Sequence, residues 1–303
     1  MFHDFTYPAV LAAATRGQWQ LDDVFPPGST LDFTRPFMPE NLARTATVEG
    51  LSDEQRLTLS HIRGHDYLSM FGLVEEFILP FVLDHARPQL RGDDERVRAL
   101  LQFASEEAKH IQLFKRFHAA FVAGFGHECA MIGPADAIGA EVLRHDPLAV
   151  ALVVLMIEWM SQSHYLDSVR GNQGLDPLFA NLLRCHWIEE AQHAKLDTLM
   201  VEALAEGRDE ASIMAAIDEF FEIGAFLDAG LRQQTEYNIG AFEAVTGCAL
   251  SDGAREQMLA VQHQAMRWTY LGSGLVHPQF RKSVGALSEA ALARIDEAAP
   301  AFA

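Results

Sequence analysis

The chain has 303 residues, 42 acidic against 23 basic side chains, a formal charge of −19 and a 49% hydrophobic content that includes 20 Phe. That balance lacks the clustered Lys and Arg that phosphate contacts require, which speaks against nucleic acid, and it is repelled by anionic bilayers, which speaks against a membrane surface. Three cysteines (Cys129, Cys185, Cys248), an odd number without a CxxC pair, fit free thiols in a reducing compartment, so a cytoplasmic location is expected.

In chain order, the N-terminal MFHDFTYPAV has no basic n-region and hence no signal-peptide pattern. Residues 5–16 suit a short helix. The four prolines of PPGSTLDFTRPFMPEN then predict an irregular arm lying on the surface, so 1–52 reads as an N-terminal arm. From 53 onward apolar residues recur at three and four, predicting long helices at about 53–87, 94–123, 147–170 and 177–206, and shorter ones at about 209–242, 252–271 and 287–297. Ser52-Asp53-Glu54-Gln55 has the form of a capping box, Asp93 caps the second long helix, and Asp146-Pro147 and Asp176-Pro177 open the third and fourth with Pro at the first helical position. The longest apolar run, Leu148 to Ile157, is ten residues, short of the roughly 20 that span a bilayer. Nothing alternates with period two. The expected fold is all-α, a single domain with a four-helix core at 53–206 and additional helices at 207–303.

The second long helix contains Glu107-x-x-His110 and the fourth Glu190-x-x-His193. Residues three apart share a helix face, so each pair can grip one ion. Chance alone gives about one such pair in a chain with 23 Glu and 13 His, so the motif needs support. Glu158 supplies some of it: ten apolar residues precede it, and a lone buried carboxylate is costly unless paired or metal-bound. On the first long helix Glu75 lies among Leu68, Phe71, Ile78 and Val82, whereas Glu76 lies on the polar face and is the alternative ligand.

The spacings then agree. Glu75 to Glu158, Glu107 to Glu190 and His110 to His193 are each 83 residues, as if one helical hairpin occurred twice. Packed antiparallel, the two hairpins bring four carboxylates and two imidazoles to one level, the ligand set of di-iron and di-manganese carboxylate bundles. His186 lies on the stripe of Glu190 and His193 and adds a third imidazole. Phe103 and Phe114 flank the motif on the second helix, Gln162 and Tyr165 follow Glu158 on the third, and Asp197 stands one turn after His193, where it could fix the imidazole tautomer. Glu106 and Glu189 adjoin ligands but are expected to face away into solvent.

Glu, Glu-x-x-His, Glu, Glu-x-x-His resembles the ferritin-like di-iron oxygenases over residues 53–206, and His186-x-x-x-Glu190-x-x-His193 resembles the p-aminobenzoate N-oxygenase family. The resemblance implies a ferritin-like bundle with metal ligands Glu75, Glu107, His110, Glu158, His186, Glu190 and His193. It also implies two Fe ions as cofactor, O2 as co-substrate, an external electron donor and an amine substrate, N-oxygenated through a di-iron peroxo species. Ligand type leaves a Mn/Fe pair open. The family and the apolar C-terminal helices together suggest a homodimer.

Alternatives are a di-iron hydroxylase or desaturase of another small or carrier-bound substrate, a ferroxidase without organic substrate, and a helical interaction protein with a metal-free polar network. The extra hundred C-terminal residues weigh against a storage cage, and the −19 charge against an acidic carrier. The tyrosine of an R2-like cross-link, expected just over one turn before Glu158, is replaced by Val153 and Val154. Trp268, Tyr270 and Phe280 could cap a pocket or meet a second copy.

Overall fold

The computed structural model describes residues 3–303, and among them all regular structure is helical. In chain order the α-helices are α1 (Tyr7–Gly17), α2 (Leu21–Val24), α3 (Glu40–Ala43), α4 (Asp53–Ala86), α5 (Asp94–Phe125), α6 (Ala135–Leu143), α7 (Pro147–His164), α8 (Pro177–Ala205), α9 (Glu210–Thr246), α10 (Asp252–Arg267), α11 (Ser273–Leu275), α12 (Pro278–Leu287) and α13 (Glu289–Ala298). The expected caps form. Ser52 and Gln55 make the reciprocal capping box, and the carboxylates of Asp93, Asp146 and Asp176 accept from backbone N–H groups of the turns they open.

α4 packs along α5, and α7 along α8, giving the two hairpins of a four-helix bundle. α9 lies against both α4 and α7; α10 and α13 pack on α9, whereas α11 packs on α7 and α12 on α7 and α8. A continuous hydrophobic cluster runs from Val10 to Ala299, so the apolar faces of the C-terminal helices are used inside the chain and do not by themselves call for a second copy. Pro147–Val169 is long and apolar enough to cross a membrane by composition, but 89% of its apolar 18-residue window is buried in the bundle.

Several expectations change. The third long helix is α-helical only to His164. It ends in a π-turn at Tyr165–Val169, and α10 likewise passes into a π-turn at Trp268–Gly272. α6 and α12 were hidden by Gly and Pro, which read as punctuation; α6 starts after Pro134 with no side-chain cap. The proline-rich arm does not lie on the surface. Leu31, Phe37 and Met38 are buried, and Phe37 stacks on Phe179 of α8 at 5.4 Å and lies 4.6 Å from His61 of α4. Prolines prevent a helix there, so the arm buries its apolar side chains one at a time. α1 continues the coverage by packing across both α5 and α8.

Candidate metal centre

The two hairpins present Glu75 from α4, Glu107 and His110 from α5, Glu158 from α7, and His186, Glu190 and His193 from α8 to the bundle interior. None of the seven is more than 4% exposed. Glu190 is the hub. Its Oε1 lies 2.8 Å from His186 Nε2 and 3.1 Å from His110 Nδ1, and its Oε2 lies 2.9 Å from His193 Nδ1. Glu75 Oε1 is 3.2 Å from His186 Nε2 and 3.6 Å from His110 Nδ1, and Glu107 Oε1 is 2.8 Å from His193 Nδ1. Two groups result whose ligand atoms lie within 4.8 Å of one another: Glu75, His110, His186 and Glu190, and beside it Glu107, His110, Glu190 and His193. Glu158 falls in neither group, although the Glu190 charge acts on its carboxyl.

These residues fit metal ions. Glu75 Oε2, Glu107 Oε2 and Glu158 Oε2 are buried without a hydrogen-bond partner, a costly state for polar atoms unless something else binds them. Charge says the same. Glu75, Glu106, Glu107, Glu158, Glu189, Glu190 and Asp197 are all buried around one point, and Lys109 is the permanent cation bonded into the group. Burial, then repulsion from Glu190 and Glu75, pushes the Glu107 carboxyl up to about 7. Burial and Glu190 drive Glu158 well above the ordinary carboxylate range. Burial also works against Glu190 and the three imidazoles. The charges of His193 and His186 nevertheless hold Glu190 well below its ordinary value, and neighbouring carboxylates hold His110 and His193 well above theirs. Divalent cations would relieve this strain directly.

The imidazoles are oriented across the bundle. His110 Nε2 donates to Glu189 at 2.8 Å and His193 Nε2 to Glu106 at 3.0 Å, which leaves each Nδ1 facing the cluster. Glu106 and Glu189 are therefore not solvated as expected; they are 3% and 0% exposed. The reason is α1, which covers the face of α5 and α8 that would otherwise meet water. Their separation is again 83 residues, a signal in the sequence that could have found them. The two supports differ in charge. Lys109 Nζ donates to Glu189 at 2.5 Å while lying 3.8 Å over the Trp19 ring, whereas Glu106 is held by the neutral Gln102 at 2.7 Å.

Three other expectations are corrected. Asp197 is buried but neither carboxylate oxygen has a hydrogen-bond partner, because Glu106 takes the proton of His193. Tyr165, two turns past Glu158 at the end of α7, stacks on Trp187 at 4.5 Å and joins no candidate ligand group. Gln162 donates to the Trp187 carbonyl at 3.5 Å and to Ser161 Oγ at 3.4 Å rather than to a candidate ligand. The tyrosine near the site is Tyr67, two turns before Glu75 on α4. Burial and the Glu190 charge raise its phenol, which hydrogen-bonds His164 Nδ1 at 2.9 Å. Phe103 stacks on His193 at 4.0 Å and Phe114 stands 5.2 Å from His186. Glu76 remains outside, 3.8 Å from Lys115 with a 42% exposed side chain.

The paired hairpins and their shared carboxylate–histidine cluster define a ferritin-like bundle built to hold metal. Solved structures share the fold. A glycine-to-leucine variant of an R2-like ligand-binding oxidase with an aerobically reconstituted Fe/Fe cofactor aligns at TM-score 0.54 and 16% identity, over 92% of this chain and 99% of that one. A glycine-to-phenylalanine variant with an aerobically reconstituted Mn/Fe cofactor aligns at 0.50 and 16%, over 88% and 97%. No curated protein matches. The sequence profile of P-aminobenzoate N-oxygenase AurF matches residues 18–214, and the chain belongs to that family, a family of oxidoreductases.

Proposed function

We propose that this protein is a non-haem dimetal oxygenase that uses O2 and an external electron donor to oxygenate the nitrogen of a small amine. The observation that carries the reading is the ligand set around Glu190: two overlapping Glu/His groups with unpartnered atoms turned inward, within the region that matches the N-oxygenase profile. Glu75, Glu107, His110, Glu158, His186, Glu190 and His193 would hold two ions. Imidazole and carboxylate donors suit iron, and Mn/Fe remains compatible. When bound, the ions supply O2 reduction and oxygen transfer. Glu189 and Glu106 hold the Nε2 protons of His110 and His193, so that Nδ1 stays free to ligate. Phe103, Phe114 and the near-parallel Trp19, 5.7 Å from His110, keep bulk water from the ligands.

The test is an anaerobic Fe(II) titration followed by 18O2 with an arylamine present. Two irons per chain and 18O on nitrogen in the product are expected. Two irons with ferric product and no labelled amine would replace this reading with a ferroxidase; label on carbon would replace it with a hydroxylase. Absence of stoichiometric iron would overturn the metal assignment.

A further inference from the structure

α4 and α7 each carry a candidate ligand, yet they barely touch one another, and α9 closes the gap between them. A cavity of about 50 Å3 remains in that gap, lined by Phe71, Val74, Ile157, Met160, Gly230 and Leu231 among others. It adjoins the metal centre. Val74 precedes Glu75, Ile157 precedes Glu158, and the Phe71 ring stands 5.3 Å from that of His186. On its other side Leu73 and Ile132 also line a wider cleft between α4 and α5, rimmed by Ser69, Glu76, Lys115 and His118.

No Lys, Arg, His, Asp or Glu lines the inner cavity. Its one polar side chain, Tyr270, directs its hydroxyl to the buried Asp66 carboxylate at 3.2 Å and so offers the cavity only its ring. Gly230 is the second observation. It sits inside α9 without a left-handed φ, so the backbone does not demand glycine, and glycine weakens a helix. A Cβ there would meet Ile132 Cδ1 at 3.3 Å. What the residue provides is room.

We infer that this cavity seats the substrate and takes a small, uncharged, apolar arylamine rather than one bearing a carboxylate, such as p-aminobenzoate. The inference rests on the amine reading above. A carboxylate placed here would be buried without a partner, a heavy penalty, whereas a neutral aromatic ring loses nothing by leaving water. A cavity of roughly 150 Å3 admits benzene, so ring entry requires Met70 and Met160 to shift, a role suited to their unbranched, flexible side chains.

The experiment is equilibrium binding to the full chain loaded anaerobically with Fe(II), using 4-ethylaniline and p-aminobenzoate as probes at pH 7. 4-Ethylaniline is expected to bind at least tenfold more tightly. Gly230→Leu, which fills the cavity while favouring the helix, is expected to weaken 4-ethylaniline at least tenfold at unchanged Fe(II) stoichiometry. Equal or tighter binding of p-aminobenzoate to the wild-type chain overturns the inference without recourse to a variant, as does Gly230→Leu with wild-type affinity. 4-Ethylaniline that binds tightly but acquires no oxygen on exposure to O2 leaves the cavity assignment standing and removes the N-oxygenation reading instead.

Discussion

At the scale of single residues, the centre depends on who holds the imidazoles. Glu189 and Glu106 each take an Nε2 proton from the opposite helix, and this fixes both ring tautomer and ring plane. Outer partners of this kind are worth about 10- to 100-fold in metal affinity. Glu189→Gln and Glu106→Gln are therefore expected to weaken Fe(II) binding by about that factor in chelator competition, with helix content unchanged. Asp197→Asn is expected to cost less than either, because Asp197 makes no hydrogen bond to His193. If Asp197→Asn were the most damaging of the three, the support of His193 would have to be reassigned. Glu190→Ala should be the most severe ligand change, abolishing stoichiometric binding of both ions, since Glu190 alone of the carboxylates turns one oxygen towards His186 and His110 and the other towards His193.

At the scale of elements, the N-terminal arm is part of the core. Phe37 is fully buried against α4, α5 and α8. Large-to-small changes at such sites cost about 3–5 kcal/mol, so Phe37→Ala should lower unfolding stability by that order in a denaturant titration. The arm reaches α4 at Gly64, where an added Cβ would come within 2.6 Å of Phe37 Cβ. Gly64→Ala should thus destabilise by about 1–3 kcal/mol through overpacking, although Ala is the better helix former by about 1 kcal/mol. A stabilised Gly64→Ala variant would show that the arm can retreat. The short helix expected at 5–16 forms as α1, but the surface course expected for the proline-rich arm was misread, because an irregular segment carries no periodicity by which to tell a buried side chain from an exposed one. The four long helices were legible because their caps and three–four spacing are local.

At the scale of the whole molecule, several histidines outside the candidate ligand set sit where burial disfavours their charge. Burial, with the His118 charge, lowers His65 from 6.5 to about 3. Burial alone dominates in lowering His164 to about 3, and burial with Arg96 lowers His85 to about 4. In each case the folded value lies below the unfolded one, so the unfolded chain takes up the proton first as pH falls. The stability these groups allow is complete above about pH 6.5 and is lost progressively between 6.5 and about 3. His164→Asn should remove the His164 share of this loss, so the melting temperature of the wild-type chain should drop relative to that of the variant between pH 7 and pH 5. An unchanged slope would mean that His164 is already charged in the folded state.

The amino-acid sequence by itself determined the four long helices, the doubled hairpin and the Glu and His residues of the two clustered groups, with Glu158 falling outside both groups. Each of those follows from local spacing or from a repeat of 83 residues that survives whatever the chain does elsewhere. Only the tertiary structure decided the environment of that point. Glu106 and Glu189 turn from surface residues into imidazole holders because α1, nearly a hundred residues upstream of Glu106, lies over them. Tyr67 rather than Tyr165 feels the Glu190 charge, because packing draws Tyr165 onto Trp187 at the end of α7. The apolar cavity exists because α9 holds α4 and α7 apart. Burial is a property of what packs on a residue, and that partner is set by the course of the whole chain rather than by the residue's neighbours in sequence.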